Sequence, residues 1–231
     1  MSHILLIETA TKVCSAGLAR ENKIIAYRED KSMQYSHSSL LTSFIEEVVS
    51  DSGIAFKHLD AVAVSMGPGS YTGLRIGVSA AKGFCYAMDI PLIAVNTLDS
   101  LVSVAAVQNE IKADFYVPMI DARRMEVYNA VFDSSLRNVR ETKAEIIEEN
   151  SFSELLSKGE VAFFGDGADK CKAVIKHPNA VFYDNVFPSV SGLVSPAFEK
   201  LQKKEFEDLA YFEPFYLKDF VAGKPKVKGL H

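Results

Sequence analysis

The chain has 231 residues, a length that predicts one large domain or two small lobes sharing a core. Such a chain buries about 70 % of its unfolded surface, so it needs no metal or disulfide to fold, and its three cysteines lack the CxxC spacing of a zinc ribbon. With 25 basic and 30 acidic residues the net charge is −5, which disfavours non-specific nucleic-acid binding but leaves a local RNA patch open. No apolar run is long enough to span a membrane, and we expect a cytoplasmic protein.

The first half of the chain alternates short apolar strands with helices. Three β-like runs at 3–9, 13–20 and 23–29 are separated by polar breaks, as in a meander. The period then changes to that of a helix over 36–49, with Ser36 as its N-cap. Further along, the pattern predicts a strand at 61–66, a helix ending near Met88, a strand at 91–95 and a helix at 97–107.

The second half repeats this order more loosely, which indicates an α/β protein and is compatible with an ancient duplication. Around 100–114 the apolar pattern gives way to polar residues. We therefore assign 1–105 to an N-terminal lobe and 106–231 to a C-terminal lobe. The predicted elements are strands at 115–121, 125–133, 137–147 and 161–165, and helices at 151–158, from Gly167 to about Lys176, and at 190–204.

The segment GPGSYTGLRIG at 67–77 joins a buried strand to a helix. Its glycines allow close backbone approach, and the first turn of the helix offers N–H groups to an anion, so Gly67, Gly69 and Ser70 are candidate phosphate ligands. The segment is neither a Walker A loop nor a GxGxxG turn, and Ser70 lacks the flanking glycines of a nucleophile elbow. A purely structural strand-to-helix turn is the alternative.

Two further polar turns follow predicted strands. Glu8 and Thr9 end the first strand, where they would hold a magnesium-bound phosphate or make a turn satisfied by backbone N–H groups. Gly165 and Asp166 end a later strand, where they would face a nucleoside or simply turn the chain. Because ligands of α/β proteins bind at the carboxyl ends of strands, these turns together form a candidate nucleotide site.

Basic residues occur at two further places. Arg123 and Arg124 follow a predicted strand and would bind a phosphate or a partner's carboxylate, or form a solvated hairpin turn. The tail at 218–231 has four lysines against one aspartate, and we interpret it as an RNA-facing or a solubilising end. His37 is interpreted as a surface or capping residue, and the sequence contains no HExxH or Cys/His cluster, so no metal site is expected.

Five segments, taken together and in order, resemble the TsaB (YeaZ) family. They are ILLIETAT at 4–11, GPGSYTGLRIG at 67–77, DARRMEVY at 121–128, Gly165-Asp166-Gly167 and EPFYLK at 213–218. The resemblance covers essentially the whole chain and implies a two-lobed α/β fold of the actin/Hsp70/sugar-kinase type. It also implies a non-catalytic subunit that scaffolds the transfer of threonylcarbamoyl to adenosine 37 of tRNA.

The resemblance also implies partners and ligands. The expected partners are the catalytic paralogue TsaD and the ATPase TsaE, with TsaC supplying threonylcarbamoyl-adenylate, and a homodimer of the chain is a further prediction. The chain would reach tRNA through the complex and would have no membrane partner. No cofactor is required, although weak ATP or ADP binding is predicted. The usual Asp-Thr-Ser of the first hairpin is Glu8-Thr9-Ala10 here, which alters the loop that would hold a nucleotide.

The catalytic relatives carry a His-x-x-x-His metal pair just after a Val-Pro-Ala-Ile-type strand. In this sequence the two positions fall on Thr97 and Leu101. Threonine is at best a weak ligand and leucine is none, so the resemblance implies a chain that is not an enzyme and binds no metal. Two alternatives stay open: a free-standing peptidase, kinase or ATPase of the same fold, and a nucleotide-responsive regulator.

The resemblance also implies pairing with the paralogue through two helices of the N-terminal lobe. On one helix, Gly73, Gly77 and Ala81 form a strip of small residues flanked by Leu74 and Val78. The other helix carries an apolar stripe wider than one sheet contact needs. That stripe includes Leu40, Leu41, Phe44 and Val48. The alternative is that both helices simply cover the sheet.

Overall fold

The first half of the chain forms a mixed sheet. The computed structural model describes residues 1–32, 37–108 and 110–218. The strands of this sheet are β1 (His3–Glu8), β2 (Cys14–Arg20), β3 (Lys23–Asp30), β4 (Ala61–Gly67) and β5 (Leu92–Asn96). Their order is β3-β2-β1-β4-β5; β2 is antiparallel to both of its neighbours, whereas β4 and β5 run parallel to β1.

The second sheet repeats the first. Its strands are β6 (Phe115–Asp121), β7 (Glu126–Asp133), β8 (Asn138–Ile146), β9 (Val161–Phe164) and β10 (Ala180–Tyr183). The order β8-β7-β6-β9-β10 matches the first sheet strand for strand, again with three antiparallel strands followed by two parallel ones. The predicted α/β fold of two actin-like lobes is therefore confirmed, and the shared order is what a duplication would leave.

Helices cover both faces of the sheets. They are α1 (His37–Ser52), α2 (Tyr71–Met88), α3 (Thr97–Ser103), α4 (Ser153–Leu156) and α5 (Val190–Lys203). Because successive side chains of a strand point to opposite faces, Leu5 and Ile7 of β1 pack under α1 and α2, whereas Ile4 and Leu6 pack under α5. In the described part of the chain, no helix combines the length and apolar character needed to cross a bilayer.

The chain exchanges helices between the two sheets. From the C-terminal half, α5 packs on the first sheet through Leu193 and Ala197, while α3 packs on the second sheet through Leu98 and Leu101. The two helices also pack against each other. The division into 1–105 and 106–231 stays a prediction, and the packing of these two helices does not follow it, because periodicity identifies the apolar face of a helix but not the sheet that covers it.

Strand bounds agree with the sequence to within one residue, and the differences lie in short elements. The helix predicted to run from Gly167 to Lys176 is a single 3-10 turn at Asp169–Cys171, and the helix predicted at 151–158 keeps four residues. Strand β10 was missed because it is a short, half-buried edge strand. Ser36 and the tail after Lys218 lie outside the described residues.

Candidate functional site

The sequence-predicted turns lie at the carboxyl ends of strands and form two groups. In the first sheet, the hairpin after Glu8 contacts the Gly-rich turn after β4, and in the second, the turn after β9 contacts the end of β6. The chain after α5 joins the two edges: the Phe215 N–H donates to the Met66 carbonyl at the end of β4, and Lys218 Nζ contacts the Glu126 carboxylate beside the end of β6. The space between these two edges is here named the cleft, and the candidate site residues lie on its two sides rather than in a single loop.

A row of polar side chains crosses the first sheet at this cleft. Glu8 of β1 is in register with Ser15 of β2, which is in register with Glu29 of β3. On the other side of the row, the hydroxyls of Ser65 and Thr97 lie 2.7 Å apart. Glu8 and Glu29 each have one buried carboxylate oxygen with no hydrogen-bond partner among the described residues. The row therefore places two incompletely paired acids in one sheet.

Glu8 is the most strongly perturbed acid of this row. Its side chain is fully buried, and this burial raises its pKa from the ordinary 4.5 to about 7. The Ala10 N–H, which donates to Glu8 Oε1 at 2.7 Å, acts in the opposite direction. Near neutral pH the buried carboxyl group is therefore close to half protonated. Its predicted part in holding a phosphate stays a prediction.

The Gly-rich turn packs against the first hairpin instead of enclosing open space. The Ser70 N–H donates to the Ala10 carbonyl at 2.6 Å, and the Gly73 N–H donates to Ser70 Oγ at 3.3 Å. A side chain at Gly69 would clash with the Ala10 carbonyl, and one at Gly67 would press on the Phe215 carbonyl. These two N–H groups are therefore not available to a phosphate, and the glycines serve close packing.

The turn after β9 brings Asp166 into the cleft. Gly165 has a φ of 98°, a conformation that favours glycine, and Asp166 Oδ1 accepts a hydrogen bond from the Asp121 N–H at 3.0 Å. Burial raises the pKa of Asp166, whereas the positive charge of Lys12, from the first hairpin, lowers it. Asp166 is therefore the point at which the second lobe faces a charge of the first.

A groove of about 930 Å³ opens beside β3. Glu29 lines it together with Ser191 and Gly192 of α5 and with Phe187 and Leu136 of the second lobe. Its volume falls in the usual range of small-molecule sites. ATP or ADP binding stays a prediction, and none of the residues predicted to bind a nucleotide lines this groove.

The helix residues predicted to meet a partner are mostly core residues. Leu41, Val48, Leu74, Val78 and Ala81 are buried against the first sheet. Their assignment to an outward surface is wrong, because the hydrophobic stripe is wide enough to cover the sheet and the neighbouring helix together.

The glycines of the predicted strip also face inward. A side chain at Gly73 would clash with the Thr9 carbonyl, and one at Gly77 would clash with Thr9 Oγ1. The strip therefore admits the chain's own first hairpin rather than a partner helix. Leu40 and Phe44 are half-buried, and their contact with a partner stays a prediction.

Sequence reasoning missed the role of residues 205–218, here named the C-terminal strap. Glu207 forms a bridge with Leu92, and the Phe215 N–H donates to the Met66 carbonyl at 2.7 Å, so the strap runs along the first lobe. It ends at Lys218, whose Nζ contacts the Glu126 carboxylate of the second lobe. The available signal was a Pro and several aromatic residues after the last helix.

The positions of the expected metal pair are filled by packing residues. Thr97 Oγ1 accepts a hydrogen bond from the Gly67 N–H at 3.1 Å, and Leu101 is buried under the second sheet. His37 is likewise internal, since it is buried and its Nε2 donates to the Thr11 carbonyl at 2.6 Å. Across the ranges that the structure describes, no three His, Cys, Asp or Glu side chains are grouped to hold a metal ion.

Comparison with known proteins identifies close relatives. The family model TsaD, tRNA N6-adenosine threonylcarbamoyltransferase, matches residues 31–229. The Escherichia coli K12 protein named tRNA threonylcarbamoyladenosine biosynthesis protein TsaB is 29% identical over 230 residues, which is 96% of this chain and 96% of that protein. A Bacillus subtilis protein of the same name is 33% identical over 129 residues, or 56% of this chain and 54% of its own.

A solved structure has the same fold. It is a Pseudomonas aeruginosa protein described as similar to the peptidase YEAZ, and it superposes with a TM-score of 0.83 at 24% identity, over 94% of this chain and 100% of that one. A second Pseudomonas aeruginosa structure, described as YeaZ, gives a TM-score of 0.79 at 23% identity. Both cover the two lobes described above.

Proposed function

Since this chain belongs to the TsaB/YeaZ family of tRNA threonylcarbamoyladenosine biosynthesis proteins, we propose that it is a non-catalytic subunit. In this role it scaffolds the catalytic paralogue TsaD and the ATPase TsaE while threonylcarbamoyl is transferred to adenosine 37 of tRNA. The family model that matches the chain describes the transferase, so the proposal assigns catalysis to the paralogue and not to this chain.

The observation that carries the proposal is the identity of two side chains. Thr97 and Leu101 stand where the catalytic relatives are expected to carry metal-binding histidines. The Thr97 hydroxyl is engaged by Ser65 and by the Gly67 backbone, and Leu101 is buried in the apolar core of the second lobe. Neither can change to a ligand role without breaking internal packing, so a transferase or metallopeptidase centre at this place is disfavoured.

The hydrogen bonds of the Gly-rich turn are a second observation, and they argue against a kinase or ATPase role. Such enzymes hold phosphates on backbone N–H groups of a loop that leads into a helix. Here the Ser70 and Gly73 N–H groups are hydrogen-bonded within the chain. A subunit that assembles with an enzyme needs no such cradle.

Pairing with the paralogue would use the outer faces of α1 and α2. Leu40 and Phe44 of α1 and Ile76 and Ala80 of α2 are half-buried, and all four border the same apolar cluster. The two helices contact each other, so these residues lie on one helix pair. A partner helix laid there would complete their burial, and truncating one anchor would cost on the order of 2 kcal/mol of binding energy.

Reconstitution with purified proteins tests the subunit role. Unmodified tRNA is incubated with the adenylate-forming enzyme, TsaD, TsaE and this chain, each omitted in turn, and modified nucleoside is measured by mass spectrometry after digestion. We expect no product without TsaD and none without this chain. Product formed by this chain and the adenylate-forming enzyme alone would refute the non-catalytic assignment.

An interface variant separates the scaffolding role from other roles. Phe44→Asp should prevent co-purification with TsaD. Val139→Asp, which introduces the same carboxylate at a residue that is 54% exposed on β8, should not. Thermal unfolding of both variants checks that the fold is kept. If Phe44→Asp is folded and still binds TsaD, the proposed interface is wrong. Calorimetric titration with ATP then tests the nucleotide-responsive alternative.

A further inference from the structure

The C-terminal strap carries an aromatic and cationic cluster at the mouth of the cleft. The rings of Tyr71 and Tyr216 lie 5.0 Å apart between centroids, which joins the start of α2 to the strap. The Arg75 guanidinium lies 4.2 Å from the centre of the Tyr71 ring, and its Nε donates to Tyr216 Oη at 3.3 Å. Arg75 itself is exposed, so a guanidinium that lies over one tyrosine ring and is hydrogen-bonded to the hydroxyl of another faces solvent.

The cluster continues onto the second lobe. Lys218 Nζ lies 6.0 Å from the centre of the Tyr128 ring. Burial raises the pKa of the Tyr128 hydroxyl, the positive charge of Lys218 acts against this, and the negative charge of Glu126 adds to it. Arg123 is exposed in the turn between β6 and β7, where its carbonyl accepts a hydrogen bond at 3.2 Å from the N–H of Glu126, the residue that Lys218 contacts.

These residues make one surface, here named the tyrosine–arginine strip. Its members are Tyr71, Arg75, Arg123, Tyr128, Tyr216 and Lys218. Three half-buried rings alternate with three cations. The acids beside these cations are Asp121, which accepts from the Arg123 N–H and pairs with Lys170, Glu126, which pairs with Lys218, and Glu213, which acts on Arg75. With Arg124 and Lys170, this surface carries five cations against four acids, the fourth being Asp166, whereas the whole chain has a net charge of −5.

We propose that the tyrosine–arginine strip binds RNA, with its cations on the phosphate backbone and its tyrosine rings stacked on unpaired bases of the tRNA. Alternating cations and ring faces are the chemistry of single-stranded nucleic-acid recognition, since every base has a face that can stack on a tyrosine. An acidic protein surface would be attracted to the cations but would make no use of the rings. The inference rests on the proposed function, which supplies the tRNA.

The position of the strip fits a large polyanion better than a small phosphate. Its members come from α2, the β6–β7 turn and the strap, so it crosses the mouth of the cleft from one lobe to the other. Arg124, next to Arg123, is also exposed.

Fluorescence anisotropy with unmodified, labelled tRNA tests the proposal, with the chain alone and with its complex with TsaD, at several salt concentrations. The double variant Arg75→Ala/Arg123→Ala should weaken binding at least about tenfold and lower the salt slope by about 1 to 2, as expected when two phosphate contacts are lost. Arg20→Ala should leave both quantities unchanged, because Arg20 is exposed at the end of β2 that pairs with the start of β1, away from the strand ends that face the cleft.

A ring variant distinguishes stacking from simple charge attraction. Tyr216→Leu should weaken binding about fivefold or more without changing the salt slope, whereas Tyr216→Phe, which keeps the ring and loses the hydroxyl that accepts from Arg75 Nε, should weaken binding by less. The thermal midpoint of each variant shows whether the strap is still in place. Should Tyr216→Leu perturb the fold, Tyr71→Leu and Tyr71→Phe provide the same comparison.

Three outcomes would overturn the inference. The first is tRNA affinity that is the same for the wild type and the double arginine variant. The second is a salt-dependent loss in the arginine variant with no effect of either ring, together with full competition by polyglutamate, which would indicate an acidic protein surface instead. The third is ring variants that lose affinity only by unfolding. If these outcomes occur while nucleoside formation still requires this chain, the proposed function stands and only the RNA surface fails.

Discussion

The two lobes share one strand order but use the turns at their strand ends in opposite ways. In the first lobe Glu8 and Thr9 are fully buried, and the Gly-rich turn fits against them. In the second lobe the equivalent edge carries Asp121, Arg123 and Arg124 exposed to solvent. Topology therefore determines where a turn lies, and the size and charge of its side chains determine whether it becomes core or surface.

The largest expected effect breaks the sealed turn of the first lobe. Gly73→Ala should destabilise the chain by more than about 4 kcal/mol, or prevent folding, because the new Cβ would clash with the Thr9 backbone carbonyl. Gly83→Ala is the matched control in the same helix, because a Cβ at this position meets no atom within 4 Å. This substitution should stabilise the folded chain by about 1 kcal/mol, since alanine has the higher helix propensity. Urea unfolding of both variants measures the difference, and equal stabilities would contradict the close packing.

Glu8 gives the next effect, and it depends on pH. Between about pH 4.5 and pH 7 the folded chain retains a proton on Glu8 that the unfolded chain releases, so the wild type loses stability as pH rises through this window. Glu8→Gln removes this loss while keeping an acceptor for the Ala10 N–H. We expect the variant to be more stable at pH 8, by on the order of 2 to 3 kcal/mol, and nearly equal to the wild type at pH 4.5.

The second lobe supplies the comparison for this measurement. Burial also raises the pKa of Asp166, but Lys12 and Lys170 act against it. Asp166→Asn should therefore change the pH dependence in the same direction and by less. Chemical denaturation at pH 4.5 and pH 8 gives the change in unfolding free energy with pH for each variant. If Asp166→Asn alters this change more than Glu8→Gln does, the strand-end turn of the first lobe is not the more deeply buried of the two.

The sequence predicts strands well here, because seven of the ten strands have buried residues and polar turns separate them, whereas β3, β8 and β10 are only half-buried. It does not predict which helix packs against which sheet. The apolar faces of α3 and α5 are evident from Leu98 and Leu193, but the exchange of these helices between the sheets depends on contacts between residues far apart in the chain. For the same reason the strip at Gly73 and Gly77 was assigned to a partner: small residues indicate close approach without indicating what approaches.

The candidate site shows the same limit. The strand pattern of the sequence predicted that Glu8 and Asp166 follow or end strands, and in the structure Glu8 ends β1 and Asp166 lies in the turn after β9. Whether the Gly-rich turn is open depends on the Ala10 carbonyl, a backbone atom that has no sequence signature. The strap was visible only as a motif, because the aromatic residues around Tyr216 become a surface only when they meet Tyr71 and Arg75.

The smallest expected effect concerns the exposed turn of the second lobe. Arg123 has a φ of 71°, a conformation that costs an L residue with a side chain but not glycine, and the Arg123 N–H donates to Asp121 Oδ1 at 3.1 Å. Arg123→Gly should therefore raise the unfolding free energy slightly, by no more than about 1 kcal/mol, whereas Arg123→Ala should leave it unchanged. Both variants should lose tRNA affinity equally, because both lack the guanidinium. Denaturation and anisotropy on the same preparations measure stability and tRNA affinity separately. If the Arg123→Gly variant is the more stable and both variants bind tRNA less well, then Arg123 occupies a backbone conformation that is unfavourable for it. That is expected of a residue whose side chain contacts a ligand. If neither variant affects binding, the exposed edge of the second lobe differs from the sealed edge of the first in burial and charge but has no role in binding tRNA.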